Sequence, residues 1–363
     1  MKNYLFTSES VTEGHPDKIC DKISDKILDE ALKYDPNSHM AVEATIKDDL
    51  ILLYGEATTK ADINYEEIAK WVLKDIGYTN EFRVISKISN QSLEINHAVN
   101  NDKIAAGDQG IVFGYACSET PDLMPLPITL ANKLAFQLTK VRKEDSDSFI
   151  LPDGKNQVTV EYENDIPVRI DTIIIAIQHK KGIEKEKLEN FIFNKVIKPI
   201  VPAELLDLKT KILVNTGGQF TIGGPQADSG TTGRKIIADT YGGAGRVGGG
   251  CFSSKDPSKV DRSGAYYARY VARNIVSHNL AKKVEIEIAY AIGMTEPLHV
   301  TIETFGTEIV SIEEIYNYVN SNFDFSVSNI INELDLCRPI YYDLAAYGHF
   351  GREKVSWEKD VSN

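Results

Sequence analysis

The chain has 363 residues, 42% of them hydrophobic, 53 acidic against 40 basic side chains, and a net charge of −13. That length and apolar content allow a large core divided over two or three domains. An excess of acid argues against a general nucleic-acid binder, and no apolar run approaches the roughly 18 residues of a membrane span. The start, Met1-Lys2-Asn3-Tyr4, has no signal-peptide core, so cytoplasmic residence is the expectation. Cys20, Cys117, Cys251 and Cys337 lie far apart, without the paired spacing of a zinc site or disulfide framework, and are expected to be reduced thiols.

In chain order, residues 17–33 place Ile19, Ile23, Ile27, Leu28, Ala31 and Leu32 on one helical face behind Pro16, with alternating Asp and Lys on the other. Residues 40–47 and 50–58 read as strands joined at Asp48-Asp49, and 66–76 as a second helix. The order helix, hairpin, helix recurs over 127–143, 157–178 with a turn near Asn164-Asp165, and 184–198. A third pass takes 257–282, then 284–304 broken around 295–297, then 312–323. The fold class is therefore read as α+β: three similar subdomains, each an antiparallel-rich sheet with helices on one face, about a pseudo-threefold axis. Approximate divisions fall at 1–101, 106–223 and 224–354, with the chain free to cross between domains.

Chemistry concentrates between the repeats. Residues 217–264 hold 13 of the 25 glycines, interleaved with Arg234, Lys235, Arg246, Lys255, Lys259 and Arg262. Glycine lets backbone N–H groups converge on an anion, so this is a phosphate-handling composition, against the ordinary alternative of a flexible surface loop. Gly243-Ala244-Gly245-Arg246-Val247-Gly248 matches the dinucleotide fingerprint, but no helix opens at its glycines because Gly249, Gly250 and Pro257 prolong the loop. Residues 250–255 miss the P-loop, since Ser254 stands at the second glycine and Asp256 follows Lys255.

Glu13-Gly14-His15-Pro16-Asp17-Lys18 opens the first helix, where the dipole favours an anion. There His15 and Lys18 suit phosphate oxygens and Asp17 a divalent metal, though an acidic first turn also simply complements the dipole. Ala106-Gly107-Asp108-Gln109-Gly110 is a glycine turn feeding the apolar run 111–115, with Asp108 at a strand mouth or merely shaping the turn. Residues 96–106 have little periodicity and suit a mobile lid. Lys255, Asp256, Lys259 and Asp261 lead into an amphipathic helix, as a phosphate and metal clamp or as a solvated charge run. Glu43 and Glu56 stand in apolar strands, where a carboxylate needs a cation, an ammonium ligand or a cross-strand partner such as Lys47.

Several ordered motifs together resemble bacterial S-adenosylmethionine synthetases (methionine adenosyltransferases) over essentially the whole length. They are residues 5–11 and 13–18, Gly107-Asp108-Gln109-Gly110 with Gly114-Tyr115, Ile222-Gly223-Gly224-Pro225, residues 232–237, 248–263 and 345–353. The resemblance implies conversion of ATP, L-methionine and water to S-adenosylmethionine, phosphate and diphosphate, by sulfur attack on the ribose C5′ and cleavage of the expelled tripolyphosphate. It implies catalytic roles for His15, Lys155, Arg234, Lys255 and Asp108. The ATP site would take His15, Asp153, Gly154, Lys155, Gln219, Phe220, Asp228, Arg234, Lys235, Cys251 and Lys255; the methionine site Glu56, Gln91, Asp108, Asp228 and Lys259. Asp17 and Asp261 would hold magnesium, about two ions per site, and Glu43 potassium. A homodimer with shared active sites, paired into a homotetramer, is implied, with ATP and L-methionine as partners and neither nucleic acid nor membrane.

The chain departs from the family pattern at Ala105, in place of a glycine, and in a shorter stretch between Gln91 and Asp108. Further departures are Leu151 and Gln219 in place of arginines, Val247 in place of a histidine, and Cys251 in place of an alanine. The competing readings are a non-catalytic ATP-binding homologue, and a kinase or ligase using the same phosphate cradle.

Overall fold

The computed structural model describes residues 3–90 and 105–361; Gln91 and residues 96–104 of the expected lid lie outside them. The order is β1 (Asn3–Val11), α1 (Pro16–Tyr34), β2 (His39–Lys47), β3 (Leu50–Thr58), α2 (Tyr65–Ile76), β4 (Arg83–Ser89), β5 (Gly110–Cys117) and α3 (Leu126–Glu144). It continues β6 (Ile150–Glu163), β7 (Ile166–His179), α4 (Lys185–Ile192), β8 (Lys211–Val214), β9 (Gly230–Thr231) and α5 (Ile236–Asp239). Last come α6 (Val260–Ser277), β10 (Lys283–Tyr290), β11 (His299–Glu303), α7 (Ile312–Asn322) and α8 (Val327–Glu333).

Local signals explain most of these boundaries. Pro16 begins α1, the His15 side chain accepts the Asp17 N–H, and Asp17 and Lys33 complement the dipole at its two ends. Asn64 caps α2, which stops at Gly77 with φ of 110°. Ser311 and Glu314 close a capping box on α7. The β6–β7 hairpin turns at Asn164 and Asp165, both in the left-handed region with φ of 52° and 64°, as the dipeptide leads one to expect. The helix read over 257–282 is shorter in the structure, Val260–Ser277, because Asp256-Pro257-Ser258 forms a turn and Lys259 the N-cap.

The three sheets run β1-β6-β7-β8, β11-β10-β5 and β4-β3-β2-β9. Each hairpin expected from the sequence is present, but every sheet also takes strands from elsewhere in the chain. β1 pairs antiparallel with β6 from Asn3↔Glu163 to Val11↔Lys155, and β5 pairs with β10. β9 joins β2 at Thr45↔Thr231, and β4 and β8 add in parallel. One continuous core joins α1, α2, β2 and β3 to α6, β5, β10 and the C-terminal segment; a second lies under β6, β7, α3 and α4. Among the described residues no helix is long and apolar enough to cross a membrane.

Helix α1 is buried on its polar side as well as its apolar one. Its polar face does not look at solvent: Asp17, Lys18, Asp21, Lys22, Asp25 and Asp29 are all buried. The reason is position, since one side packs on the β2–β3 sheet while the other is covered by the glycine-rich segment and α6.

Candidate active site

The N-terminus of α1 gathers one group of the expected residues. Asp17, 1% exposed, accepts the Thr231 N–H at 3.0 Å, while the Lys235 ammonium lies 2.5 Å and the Arg234 Nε 3.5 Å from its carboxylate. Thr231 comes this close because Gly230 has no side chain; a Cβ there would sit 2.1 Å from the Pro16 carbonyl oxygen. His15 Nδ1 accepts the Asp17 N–H at 3.2 Å. Its other nitrogen, Nε2, therefore carries the proton of the neutral ring. Burial, reinforced by Lys235, holds the His15 pKa down to about 4, with Asp17 and Asp228 opposing and Lys155 adding to the depression. These mutual influences place Lys155 and Asp228 in the same electrostatic neighbourhood.

Lys155 is exposed on β6, opposite Val11. Buried Asp153 accepts the Gly224 N–H at 2.8 Å, and burial raises its pKa to about 6. Gly154 is closed in by Ile177, its carbonyl accepting the Thr12 N–H at 2.9 Å. The Phe220 N–H and carbonyl are both tied to His179, and exposed Gln219 reaches the Ile183 carbonyl at 3.4 Å. Asp228 is exposed and caps its own turn through the Ser229 N–H at 2.8 Å.

The N-terminus of α6 gathers the second group. Lys255 bonds Asp261 at 2.5 Å and Lys259 bonds Asp256 at 2.5 Å, so each lysine of this segment meets an aspartate of the same segment. Gly250 lies against Asp261, where a Cβ would come within 2.0 Å of its carboxylate. The Asp108–Gly110 turn approaches from the other side, Gly110 lying beside Asp261 while exposed Asp108 accepts its neighbour's Gln109 N–H at 2.7 Å. Ala41 bridges Lys255 and is paired in register with Glu56, so Glu56 shares this sheet edge. The two groups adjoin where Gly233 packs on Cys251, whose thiol burial pushes up to about 11.

Glu43 accepts the Tyr54 hydroxyl at 3.1 Å. Lys47 is not its partner; that ammonium goes to Asp48 and to the Pro225 and Gln226 carbonyls. Lys18 is not a phosphate ligand either. It is 1% exposed and its ammonium is bonded to Asp21 and Asp239.

Several supporting residues escaped the sequence reading. Glu13 accepts Lys22, Arg142 and Lys143, each within 2.9 Å, and the Tyr78 hydroxyl donates to the Gly14 carbonyl at 2.7 Å, which anchors the loop ahead of His15. Asp21 accepts the Gly233 N–H at 2.8 Å. For Asp21 the local signal is the four-residue spacing of Asp17, Asp21, Asp25 and Asp29.

Among the described residues no three His, Cys, Asp or Glu groups cluster as a ready-made metal cage. Asp17 and Asp261 each offer one hard carboxylate, which suits magnesium, an ion that keeps waters and binds through one or two carboxylates plus substrate phosphates. Among the described residues the pocket beside Asp261 holds about 10 Å³, too little for a nucleotide. A cavity of about 810 Å³ lies instead between α3 and residues 342–353, with Glu13 and Lys22 on its wall.

Comparison with known protein families matches three domain models along the chain. The S-adenosylmethionine synthetase N-terminal domain matches residues 3–102, the central domain residues 103–220 and the C-terminal domain residues 222–359. With all three domains present in order over nearly the entire length, the chain belongs to the S-adenosylmethionine synthetase family, the methionine adenosyltransferases.

Proposed function

We propose that the chain performs the family reaction with the residues gathered at the N-termini of α1 and α6. The observation that carries this assignment is the repeated pair: an aspartate in a helix's first turn, held by a lysine from the glycine-rich segment, as Asp17–Lys235 and Asp261–Lys255. Both ends present backbone N–H groups and a favourable dipole to a polyphosphate.

In the first step the methionine sulfur forms a bond to the ribose C5′ of ATP. The C5′–O5′ bond breaks, and the oxygen leaves with the electron pair as tripolyphosphate. A thioether carries no proton to remove, so no general base is needed and rate comes from in-line placement and stabilisation of the leaving charge. Lys155, Arg234 and Lys255 supply that positive field, and neutral His15 donates its Nε2–H to a phosphate oxygen. Phe220 packs on the adenine beside Asp153, Gly154, Gln219 and Cys251, with Asp228 and Lys235 completing the ATP site. Lys259 meets the methionine carboxylate; Glu56, Asp108, Asp228 and Gln91, the last outside the described residues, face its ammonium. Water then adds to tripolyphosphate, breaking one P–O–P linkage to give phosphate and diphosphate.

Asp17 and Asp261 would hold magnesium and Glu43 potassium; bound there, magnesium neutralises polyphosphate charge. Assembly as a homodimer with shared sites, and then a homotetramer, is supported by the small volume, about 10 Å³, of the pocket that the described residues form beside Asp261. Large apolar side chains open on all three sheets add support: Leu5, Leu52 and Ile111 are 54, 37 and 50% exposed. The acidic balance and the unpaired cysteines support a cytoplasmic enzyme. Incubating purified protein with magnesium, potassium, ATP and methionine, and detecting sulfonium product with phosphate and diphosphate, tests the reading; absence of the sulfonium sinks it.

A further inference from the structure

The reaction proposed above uses the side chain of Lys255, but its backbone is held from inside the molecule by groups given no part in that chemistry. Asp25, in the middle of α1 and 0% exposed, forms a two-pronged pair with Arg262 of α6, at 2.8 Å to Nη1 and 2.9 Å to Nη2. Each partner then reaches the turn that delivers Lys255. Asp25 accepts the Ser253 hydroxyl at 3.0 Å and the Ser254 N–H at 3.2 Å; Arg262 donates to the Lys255 carbonyl at 3.1 Å. The guanidinium is itself fixed, donating to Tyr266 at 3.0 Å and lying 4.1 Å from the Tyr341 ring centre.

The turn needs holding. Ser254 has φ of 83°, left-handed backbone that a side-chain-bearing residue resists, and its own buried hydroxyl has no hydrogen-bond partner among the described residues. A buried ion pair is weak evidence for stability, because well-packed apolar residues often serve as well. Here the bonds left over after Asp25 and Arg262 meet each other converge on residues 253–255. We propose that Asp25, acting with Arg262, is a positioning residue for Lys255: it holds the strained Ser254 joint so that the ammonium stands where charge develops on the leaving tripolyphosphate. This rests on the role given to Lys255 above.

Asp25→Asn keeps the shape and removes the charge. With folding verified by circular dichroism and gel filtration, its kcat is expected to fall about 10–100-fold, as for a displacement near 1 Å at a reacting centre. The KM values for ATP and methionine are expected to stay within about threefold. A merely structural role would not predict rescue by glycine. Glycine enters the left-handed region without steric cost, so Asp25→Asn with Ser254→Gly should regain about fivefold or more in kcat. Should Asp25→Asn fail to fold, Ser253→Ala removes one contact to the carboxylate and is expected to lower kcat about 3–10-fold at constant KM. An unchanged kcat in a folded Asp25→Asn, a loss that Ser254→Gly does not restore, or an unchanged kcat in Ser253→Ala when that variant is needed, each overturns the proposal. Wild-type protein that forms no sulfonium overturns the functional reading instead, and the two failures are told apart in one assay series.

Discussion

Replacing Arg269 by Met tests how the C-terminal segment is fastened to the core. Arg269 is 0% exposed in the middle of α6, and all five of its N–H donors are used. Two go to Glu358 at 2.9 and 2.8 Å, and three to the carbonyls of Tyr115, Leu123 and Asp122 at 2.8, 2.9 and 2.7 Å. Methionine fills most of the volume but leaves a buried carboxylate without its main cation and three carbonyls without donors. Removing one member of such a pair costs about 3–5 kcal/mol. Partial compensation comes from Arg273, 3.6 Å from Glu358, and from the Gly351 N–H at 2.8 Å, which puts the expectation at the lower end. For a chain of this size that corresponds to a fall of roughly 4 °C in Tm. Glu358→Gln removes the same interaction from the other side, so the double variant should be less destabilised than the sum of the singles by about 1–3 kcal/mol. Thermal and urea melts of the four proteins measure this. A Tm loss under about 1 °C for Arg269→Met, or strict additivity, refutes the reasoning.

Lys255→Ala should lower kcat by about 10²–10³ with little change in Tm, since the side chain sits at the mouth of the site rather than in the core; unchanged turnover removes it from the clamp. Asp17→Asn should shift the magnesium titration of activity upward by about tenfold, and an unaltered titration defeats that assignment. Ser254→Gly in the wild-type background should raise Tm, by about 0.5–1 kcal/mol of stability, through relief of the left-handed serine; a lowered Tm contradicts it. In the ligand-free protein the His15 ring should titrate near 4 rather than 6.5, by NMR of a ring-labelled sample. Between those values the unfolded chain binds more protons than the folded one. The contribution of His15 to stability is thus complete above pH 6.5 and disappears as pH falls through 4. Asp153, raised from 3.8 to about 6, has the opposite slope over much of that window, which is why the ring itself and not the melting curve is the readout. A midpoint at 6.5 contradicts the burial of His15.

What could be read in the sequence was what local rules control. Apolar spacing located α1 and the two long hairpins, and Asn164-Asp165 marked its turn, because both signals are complete within a few residues. The added strands were not legible, since β1 finds its partner about 150 residues away and nothing within residues 3–11 specifies β6. The chemistry-bearing motifs were visible as residue types, and His15, Asp17, Arg234 and Lys235 do come together. Their supports were hidden for a physical reason: Asp21, Asp25 and Asp29 alternate with lysines along α1 in the pattern of a solvated face. They are buried because each finds donors far along the chain, at Gly233, at Ser254 with Arg262, and at Tyr341 with Tyr342. Periodicity carries no information about such partners.

Two other carboxylates, Asp17 and Asp261, bear on how a chain of net charge −13 keeps lysines gathered at its glycine-rich segment. Lys235 and Lys255 are neutralised in the ligand-free chain by Asp17 and Asp261, which removes the repulsion that bare lysines would impose on a tight glycine turn. On the function proposed above, a polyphosphate bearing several negative charges would offer each lysine a stronger partner than one carboxylate, and the carboxylates so released would be the two suited to magnesium. Polyphosphate and metal binding would then be linked: the lysines would turn to phosphate as the aspartates turned to magnesium, and neither exchange would leave a buried charge unpaired. On this account Asp17→Ala harms the site in two ways, losing a metal ligand and leaving Lys235 unmatched beside His15, whereas Asp17→Asn loses mainly the first. Alanine should therefore reduce stability as well as magnesium affinity, and asparagine chiefly the latter. Equal effects of the two substitutions on both quantities would show that the carboxylate does only one of these tasks.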